Sequence, residues 1–228
     1  LPKTGLIREL PVNERPRERL LKQGSGALSD TELVAVLLRT GTRGVSALQM
    51  AMELLRETGG LSGLVSLTPG SLRRNGLGPA KAATLLAAVE IAGRIAREQL
   101  GERELLTRPA EVARYIHLRF WARDQEVVGA LFLDSRNRFL GDKELFRGTL
   151  NRAVADSREV LKEAIVRGAA AVILFHTHPS GDPEPSPSDL FFTEKVKDAA
   201  AVVGVRLADH MIIGTAGRWV SLQQRGTC

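Results

Sequence analysis

Residues 176–178 read His-Thr-His and end a short apolar run, Ala170 to Phe175. Side chains two apart on a strand point to the same face, so the two imidazoles can converge on one ion. Asp189 follows eleven residues after His178. It opens an expected helix beyond the loop Pro179-Ser180-Gly181-Asp182-Pro183-Glu184-Pro185, whose prolines and glycine stiffen it and let it fold back on the strand. Two histidines and one carboxylate occupy three tetrahedral positions and leave the fourth open, the pattern of a catalytic zinc rather than a structural one. Such an ion lowers the pKa of its water to about 7 and makes it a nucleophile at neutral pH. Ser186, three residues before Asp189, carries a hydroxyl suited to bonding that water or a developing oxyanion. His-x-His alone equally describes two core or surface histidines; the carboxylate and the rigid loop are what point to a metal.

The elements that must position these groups are read from punctuation and periodicity. Apolar runs predict strands over Glu126–Leu133 and Phe139–Phe146, joined by a turn at Asp134-Ser135-Arg136-Asn137-Arg138. Helices are expected over Glu111–Leu118, from Asp156 to about Arg167, and from Ser186 or Ser188 to about Val203. Strands are expected over Ala170–His176, Arg206–Ile213 and Trp219–Leu222. A mixed sheet with helices packed on it follows. Upstream the chain reads as helix after helix. Pro16 suits a first turn. Ser29 with Glu32, and Ser46 with Gln49, have the spacing of capping boxes. Gly41 and Gly44 are expected to end one helix and Gly59-Gly60 the next. Thr68-Pro69 starts a short helix ending near Asn75, and Pro79 opens the longest, to about Gln99.

The 228 residues carry 32 basic and 26 acidic side chains, net +6, with 43% apolar residues. These are the proportions of an ordinary globular chain, which excludes disorder and collagen-like sequence. No apolar run approaches a membrane span. With one cysteine, Cys228, neither a disulfide framework nor a multi-cysteine zinc site is possible. Together with the lack of a charged-then-apolar leader, this leads to an expected cytoplasmic location. Phosphate-loop and Gly-x-Ser-x-Gly motifs are absent, and zinc deaminases need a cysteine pair that is missing here. The charge is uneven. Residues 1–103 hold 15 basic against 10 acidic groups, and residues 104–228 hold 17 against 16. Every Phe, Trp and Tyr lies in the second part. A boundary is therefore placed in the polar stretch Glu98–Pro109, giving an all-α domain over 1–103 and an α/β domain over 104–228.

Within the basic part, Leu72-x-x-x-Gly76-Leu77-Gly78-x-x-x-Ala82-x-x-Leu85 has the pattern of a helix-hairpin-helix. Gly76 and Gly78 permit a tight turn and a close backbone approach to a phosphate. The following helix N-terminus favours an anion. Arg73, Arg74 and Lys81 flank the turn and can meet neighbouring phosphates of DNA, contacts that position a backbone without reading sequence. The same hairpin also serves as a plain scaffold.

His176-x-His178, then seven residues, then Ser186-x-x-Asp189, resembles the JAMM motif of JAB/MPN-type metalloproteases. The surrounding His-Pro-Ser-Gly-Asp-Pro-x-Pro-Ser, with Phe146-Arg147-Gly148-Thr149-Leu150-Asn151, Arg158-Glu159-Val160 and Asp209-His210-x-Ile212-Ile213-Gly214, resembles the RadC family. So do Pro16-Arg17-Glu18-Arg19-Leu20 and Leu28-Ser29-Asp30-x-Glu32-Leu33. The resemblance spans nearly the whole chain. It implies an α+β two-domain protein: a helix-hairpin-helix domain followed by an α/β JAB/MPN domain, similar in sheet to cytidine deaminases. It implies one zinc ion held by His176, His178 and Asp189, with Ser186 as the motif's serine. Its catalytic glutamate, on an early strand, falls on Glu126, fifty residues before His176; a carboxylate there passes a proton from water to the leaving amine. Glu159, in a helix, is the rival for that role and reads better as a cap or ion-pair residue. Two positions depart from the family: Thr177 stands where Asn is usual, and Asp156-Ser157 where His-Pro is usual. The implied function is a zinc metallopeptidase or isopeptidase acting on a peptide or protein, associated with DNA repair or recombination. The alternative is a DNA-binding accessory factor with a structural or vestigial metal site. Asp209 and His210, in an apolar strand, read as a hydrogen-bonded core pair rather than ligands. Cys228 has no neighbourhood that would make a reactive thiol.

Overall fold

The computed structural model describes residues 11–42, 44–100, 108–121, 125–148, 157–215 and 217–228. The chain divides into two compact units, Leu1–Glu90 and Ile91–Cys228.

The first unit is helical: α1 (Pro16–Gln23), α2 (Asp30–Leu38), α3 (Ala47–Thr58), α4 (Pro69–Arg74) and the start of α5 (Pro79–Leu100). Capping boxes start α2 at Ser29/Glu32, α3 at Ser46/Gln49 and α4 at Thr68/Ser71. Each satisfies two amide groups that the first turn leaves without partners. Val34, Leu38, Met50, Leu54, Leu72, Leu77 and Leu85 form one buried cluster. α2 ends at Leu38, with Arg39 at φ 65°, before either glycine expected to end it. Gly41 is used differently: it packs against the Val45 carbonyl, where no side chain fits, in a turn closed by Thr42 and Val45.

The second unit contains the end of α5, α6 (Pro109–Phe120), β1 (Val127–Leu133), β2 (Phe139–Arg147), α7 (Ser157–Val166), β3 (Ala171–Thr177), α8 (Pro187–Val202), β4 (Arg206–Ile213) and β5 (Trp219–Ser221). The strands lie within two residues of their expected ends. Asp156, the expected cap of α7, lies outside the described residues. The sheet order is β2-β1-β3-β4-β5. Only β3 and β4 run parallel, and α8 is their crossover, so the sheet is mixed. Every residue of β1 and β3 is buried, as expected for strands covered on both faces. Val128, Ala130, Phe132, Val172 and Leu174 pack with Val160 and Ala164 of α7 and with Phe192, Val196 and Ala200 of α8. On the opposite face the Phe175 ring meets Phe120 of α6 at 4.6 Å. Gly129 is required there, because a side chain would run into the Phe175 ring and the Lys143 carbonyl.

The two compact units meet inside α5, between Glu90 and Ile91. The last turns of that helix engage the second unit: Arg114 donates to Gln99 at 2.9 Å, and Arg97 lies over the Phe139 ring. A helix continues through a division of compactness because its own backbone bonds need no tertiary partner.

Candidate metal centre

Alternation along β3 puts His176 on the same face as Val172 and Leu174, the face that α8 covers. His178 follows the strand end and continues the ladder, its N–H donating to the Ile213 carbonyl at 2.8 Å. The loop after it is tied down on several sides. Its Gly181 carbonyl accepts bonds from the Thr215 amide at 3.2 Å and from the Arg218 guanidinium at 2.6 Å. Arg225 grips Glu184 with two bonds, 2.6 and 2.9 Å long. Gly181 sits at φ 87°, a backbone conformation open to glycine and strained for other residues.

Asp189 reaches the site through a helix cap. Ser186 is the N-cap of α8; its Oγ accepts from the Asp189 amide at 3.2 Å. The Ser186 amide donates to Asp189 Oδ2 at 2.7 Å. The Ser-x-x-Asp spacing is thus a capping box that fixes the carboxylate's rotamer. His176 Nε2 and His178 Nε2 lie 2.6 Å apart. Asp189 Oδ1 is 3.4 Å from the first and Asp189 Oδ2 is 3.6 Å from the second. His176 and Asp189 are buried and His178 nearly so.

The outer ring nitrogens are engaged as well. His178 Nδ1 lies 2.7 Å from the Asp182 carbonyl, an acceptor only, so the imidazole proton belongs there and Nε2 keeps its lone pair. His176 Nδ1 lies 2.9 Å from His210 Nε2. Two imidazole nitrogens and a carboxylate therefore face one another with nothing but acceptors among them when the imidazoles carry their protons on Nδ1. Such a donor set is stabilised by a small cation, and its His₂-carboxylate chemistry fits zinc.

Electrostatics agree with that arrangement. Burial alone would raise the Asp189 carboxyl, but the His176 and His178 rings beside it outweigh this and hold it well below the usual carboxylate range. Burial lowers His176 despite the neighbouring carboxylate. His178 is also penalised by burial, but Asp189 and the Asp182 carbonyl raise it above the ordinary imidazole value. The Glu126 charge favours the protonated form of both histidines, which places that carboxylate within electrostatic reach of the pair. Glu126 immediately precedes β1, and two bonds fix its backbone. Its carbonyl accepts from the Gly148 amide at 2.8 Å. The next amide, Val127, donates to Thr177 Oγ1 at 3.0 Å. Glu159, the rival, is exposed on α7 and lies 3.9 Å from Lys162.

Asp209 and His210 do not bond as a side-chain pair. Asp209 accepts from Ser221 Oγ at 2.6 Å and from the His210 and Gln223 amides, while the His210 ring turns to His176. Sequence reasoning missed that contact, because the register of the parallel β3–β4 pair is not written in either strand.

In the helical unit, Gly76 adopts φ 70° between α4 and α5, forming the expected tight turn. Arg73 and Arg74 are exposed at the end of α4, and Gly78 is exposed beside them. Lys81 is not turned outward with them. Its ammonium donates to the Leu38 carbonyl at 2.6 Å, the Thr40 carbonyl at 2.5 Å and the Thr40 hydroxyl at 3.0 Å, satisfying carbonyls at the end of α2. A cavity of about 530 Å³ in the same unit is lined by Arg15, Arg17 and Arg39 among others. No helix among the described residues is long and apolar enough to cross a membrane.

Comparison with known proteins agrees with both units. Residues 106–227 match the family described as "RadC-like JAB domain", and residues 7–83 match "UPF0758 N-terminal". The chain is 45% identical over 221 residues to a UPF0758 protein of Chloroflexus aurantiacus, covering 96% of each chain. It is 47% identical over 221 residues to one of Halorhodospira halophila, covering 96% of this chain and 98% of the relative. A third, from Polaromonas sp., is 45% identical over 222 residues, covering 97% and 99%.

Proposed function

Because the chain belongs to the RadC family and carries its JAB domain, we propose that it is a zinc-dependent hydrolase of peptide or isopeptide bonds. The observation that carries this reading is the convergence of His176, His178 and Asp189, each offering one ligand atom within 4.8 Å of the other two. When bound, zinc supplies Lewis acidity, which polarises a carbonyl and makes water nucleophilic at neutral pH. His176 and His178 would hold the ion through Nε2, and Asp189 through a carboxylate oxygen. Glu126 would take a proton from the attacking water on its carboxylate and return it to the departing amine. Ser186 Oγ accepts one bond from Asp189 and keeps its own proton for an oxyanion.

Purified protein is expected to hold about one zinc per chain, and His178→Ala to lose it. Glu126→Gln keeps the metal and loses hydrolysis of peptide and isopeptide-linked substrates. Full hydrolysis by Glu126→Gln would overturn the assigned role.

For the helical unit we propose contact with the phosphates of DNA, which links the hydrolase to DNA-bound proteins in repair or recombination. The exposed Arg73–Arg74 pair beside the Gly76 turn favours it, and its affinity is expected to fall steeply with salt.

A further inference from the structure

We infer that His210 and Thr193 are positioning residues that lock His176 in the one tautomer able to ligate a cation. The inference rests on the reading of His176, His178 and Asp189 as a metal site. None of the three groups that form the lock is exposed: His176, His210 and Thr193 are each 0% accessible. They come from three different elements. β3 and β4 are paired so that His210 stands beside Leu174, on the face that α8 covers, and Thr193 lies one turn along α8 from Asp189.

The proton positions follow from one another. Thr193 Oγ1 lies 2.6 Å from the Asp189 carbonyl and 2.6 Å from His210 Nδ1. A carbonyl can only accept, so the single hydroxyl proton goes to Asp189. The Thr193 oxygen can then only accept from the imidazole, which places the His210 proton on Nδ1. His210 Nε2 is left with a lone pair. Facing it at 2.9 Å is His176 Nδ1, which must therefore carry the His176 proton. His176 Nε2 is left bare, pointing at His178 Nε2 and Asp189. Reversing His210 sets two acceptors against each other at Thr193 and puts the His176 proton on Nε2, where it would keep that atom from ligating a cation. His210 is 0% accessible and its two ring nitrogens meet His176 and Thr193, neither of them a carboxylate, so a charge there would be buried without a counter-ion and the ring stays neutral.

The chain of bonds is also a ring. It starts at one ligand, His176, and ends on the backbone of another, Asp189, so the strand and the helix that carry them are joined through β4. A ligating histidine commonly donates its second N–H to a carboxylate, carbonyl or water. Here the acceptor is another imidazole, which accepts only because a threonine one step further away makes it do so.

Thr193→Val keeps the shape and removes the hydroxyl, and Thr193→Ser keeps the hydroxyl. The tautomers are read by imidazole ¹⁵N–¹H NMR on metal-free protein in mildly alkaline buffer. Zinc affinity is read by competition with a chromophoric chelator. Wild type and Thr193→Ser are expected to show His210 and His176 protonated on Nδ1. Thr193→Val is expected to move the His210 proton towards Nε2 and weaken zinc by about 10–100-fold, the usual cost of losing an outer-shell partner. A wild-type His210 protonated on Nε2 overturns the inference, as does a Thr193→Val protein with unchanged tautomer and zinc affinity. The NMR readout needs no metal, so a wild type that shows the Nδ1 pattern but takes up no zinc upholds the lock and overturns the metal reading alone. If Thr193→Val does not fold, the wild-type spectrum still decides.

Discussion

The end of β3 and the turn between α4 and α5 are both short segments punctuated by glycine or proline, and both bring charged or ionisable groups close together in sequence. At the end of β3 the groups converge. Two ring nitrogens and a carboxylate face one locus, and the outer nitrogens of both rings are engaged. At the α4–α5 turn they diverge. Arg73 and Arg74 face solvent, while Lys81 is spent on the carbonyls that end α2. The difference lies in how many partners each group has to choose from. A histidine two residues from another on a strand has one face to share with it, and a carboxylate at the third position of a capped helix has one rotamer. A lysine on the first turn of a helix can serve a distant phosphate or the orphan carbonyls of a neighbouring helix, and local spacing does not separate these.

The convergent region is the more sensitive to a single lost hydrogen bond, and Thr177 is where that is largest. Its hydroxyl is the acceptor for the Val127 amide inside a sheet where both residues are 0% accessible. Thr177→Val has the same shape and leaves that amide without an acceptor, at a cost of about 2 kcal/mol. Urea denaturation followed by tryptophan fluorescence reads it directly, since Trp121 and Trp219 both belong to the second unit. Zinc content stays as in wild type, because Thr177 points away from the ligands, while hydrolysis falls as Glu126 loses its anchored neighbour. A loss of stability under about 0.5 kcal/mol, the range of ordinary surface changes, would show that Thr177 does not fix the start of β1.

In the divergent region the expected effects are smaller and separable. Lys81→Met removes three hydrogen bonds at a half-buried site where water replaces part of them, costing about 1 kcal/mol. The first unit has no aromatic residue, so the readout is far-ultraviolet circular dichroism. Replacing Arg73 and Arg74 with Gln leaves stability within about 0.5 kcal/mol but lowers the salt slope of DNA affinity by about 2. If Lys81→Met weakens DNA binding with no loss of stability, its inward role is refuted. If the arginine pair changes neither affinity nor slope, the hairpin is a scaffold.

Legibility follows the same division. Ser29, Ser46 and Thr68 each cap the helix that their spacing announces, and β1, β3 and β4 are visible as apolar runs, because caps and alternation are local. Ser186 and Asp189 are legible as a motif, and the capping box explains why that motif has its spacing. The contact between His176 and His210 is not legible, since 34 residues separate them and a parallel pairing across a helix sets their register. Thr193 has only a faint signal, its place four residues after Asp189, where a hydroxyl bonds back to a helical carbonyl.

Cys228 offers the mildest test, and it reports on the convergent unit alone. It packs against Val220, Leu222 and Ile212, the last on the strand that carries His210. Burial, and after it the Asp209 charge, pushes the thiol from 9.0 up to about 11. The folded chain therefore keeps a proton that the unfolded chain releases above pH 9. The contribution to stability is fully present below pH 9 and is lost as pH rises towards 11. Tyr115 is also raised, by burial first and then by its bond to Asp142, so the wild type alone cannot isolate the thiol. The difference between wild type and Cys228→Ala can. Urea midpoints read by tryptophan fluorescence at pH 8, 9, 10 and 11 are expected to run parallel up to pH 9 and then converge or cross as the wild type weakens more steeply. Parallel curves across the whole range would mean that the thiol has the same proton affinity folded and unfolded.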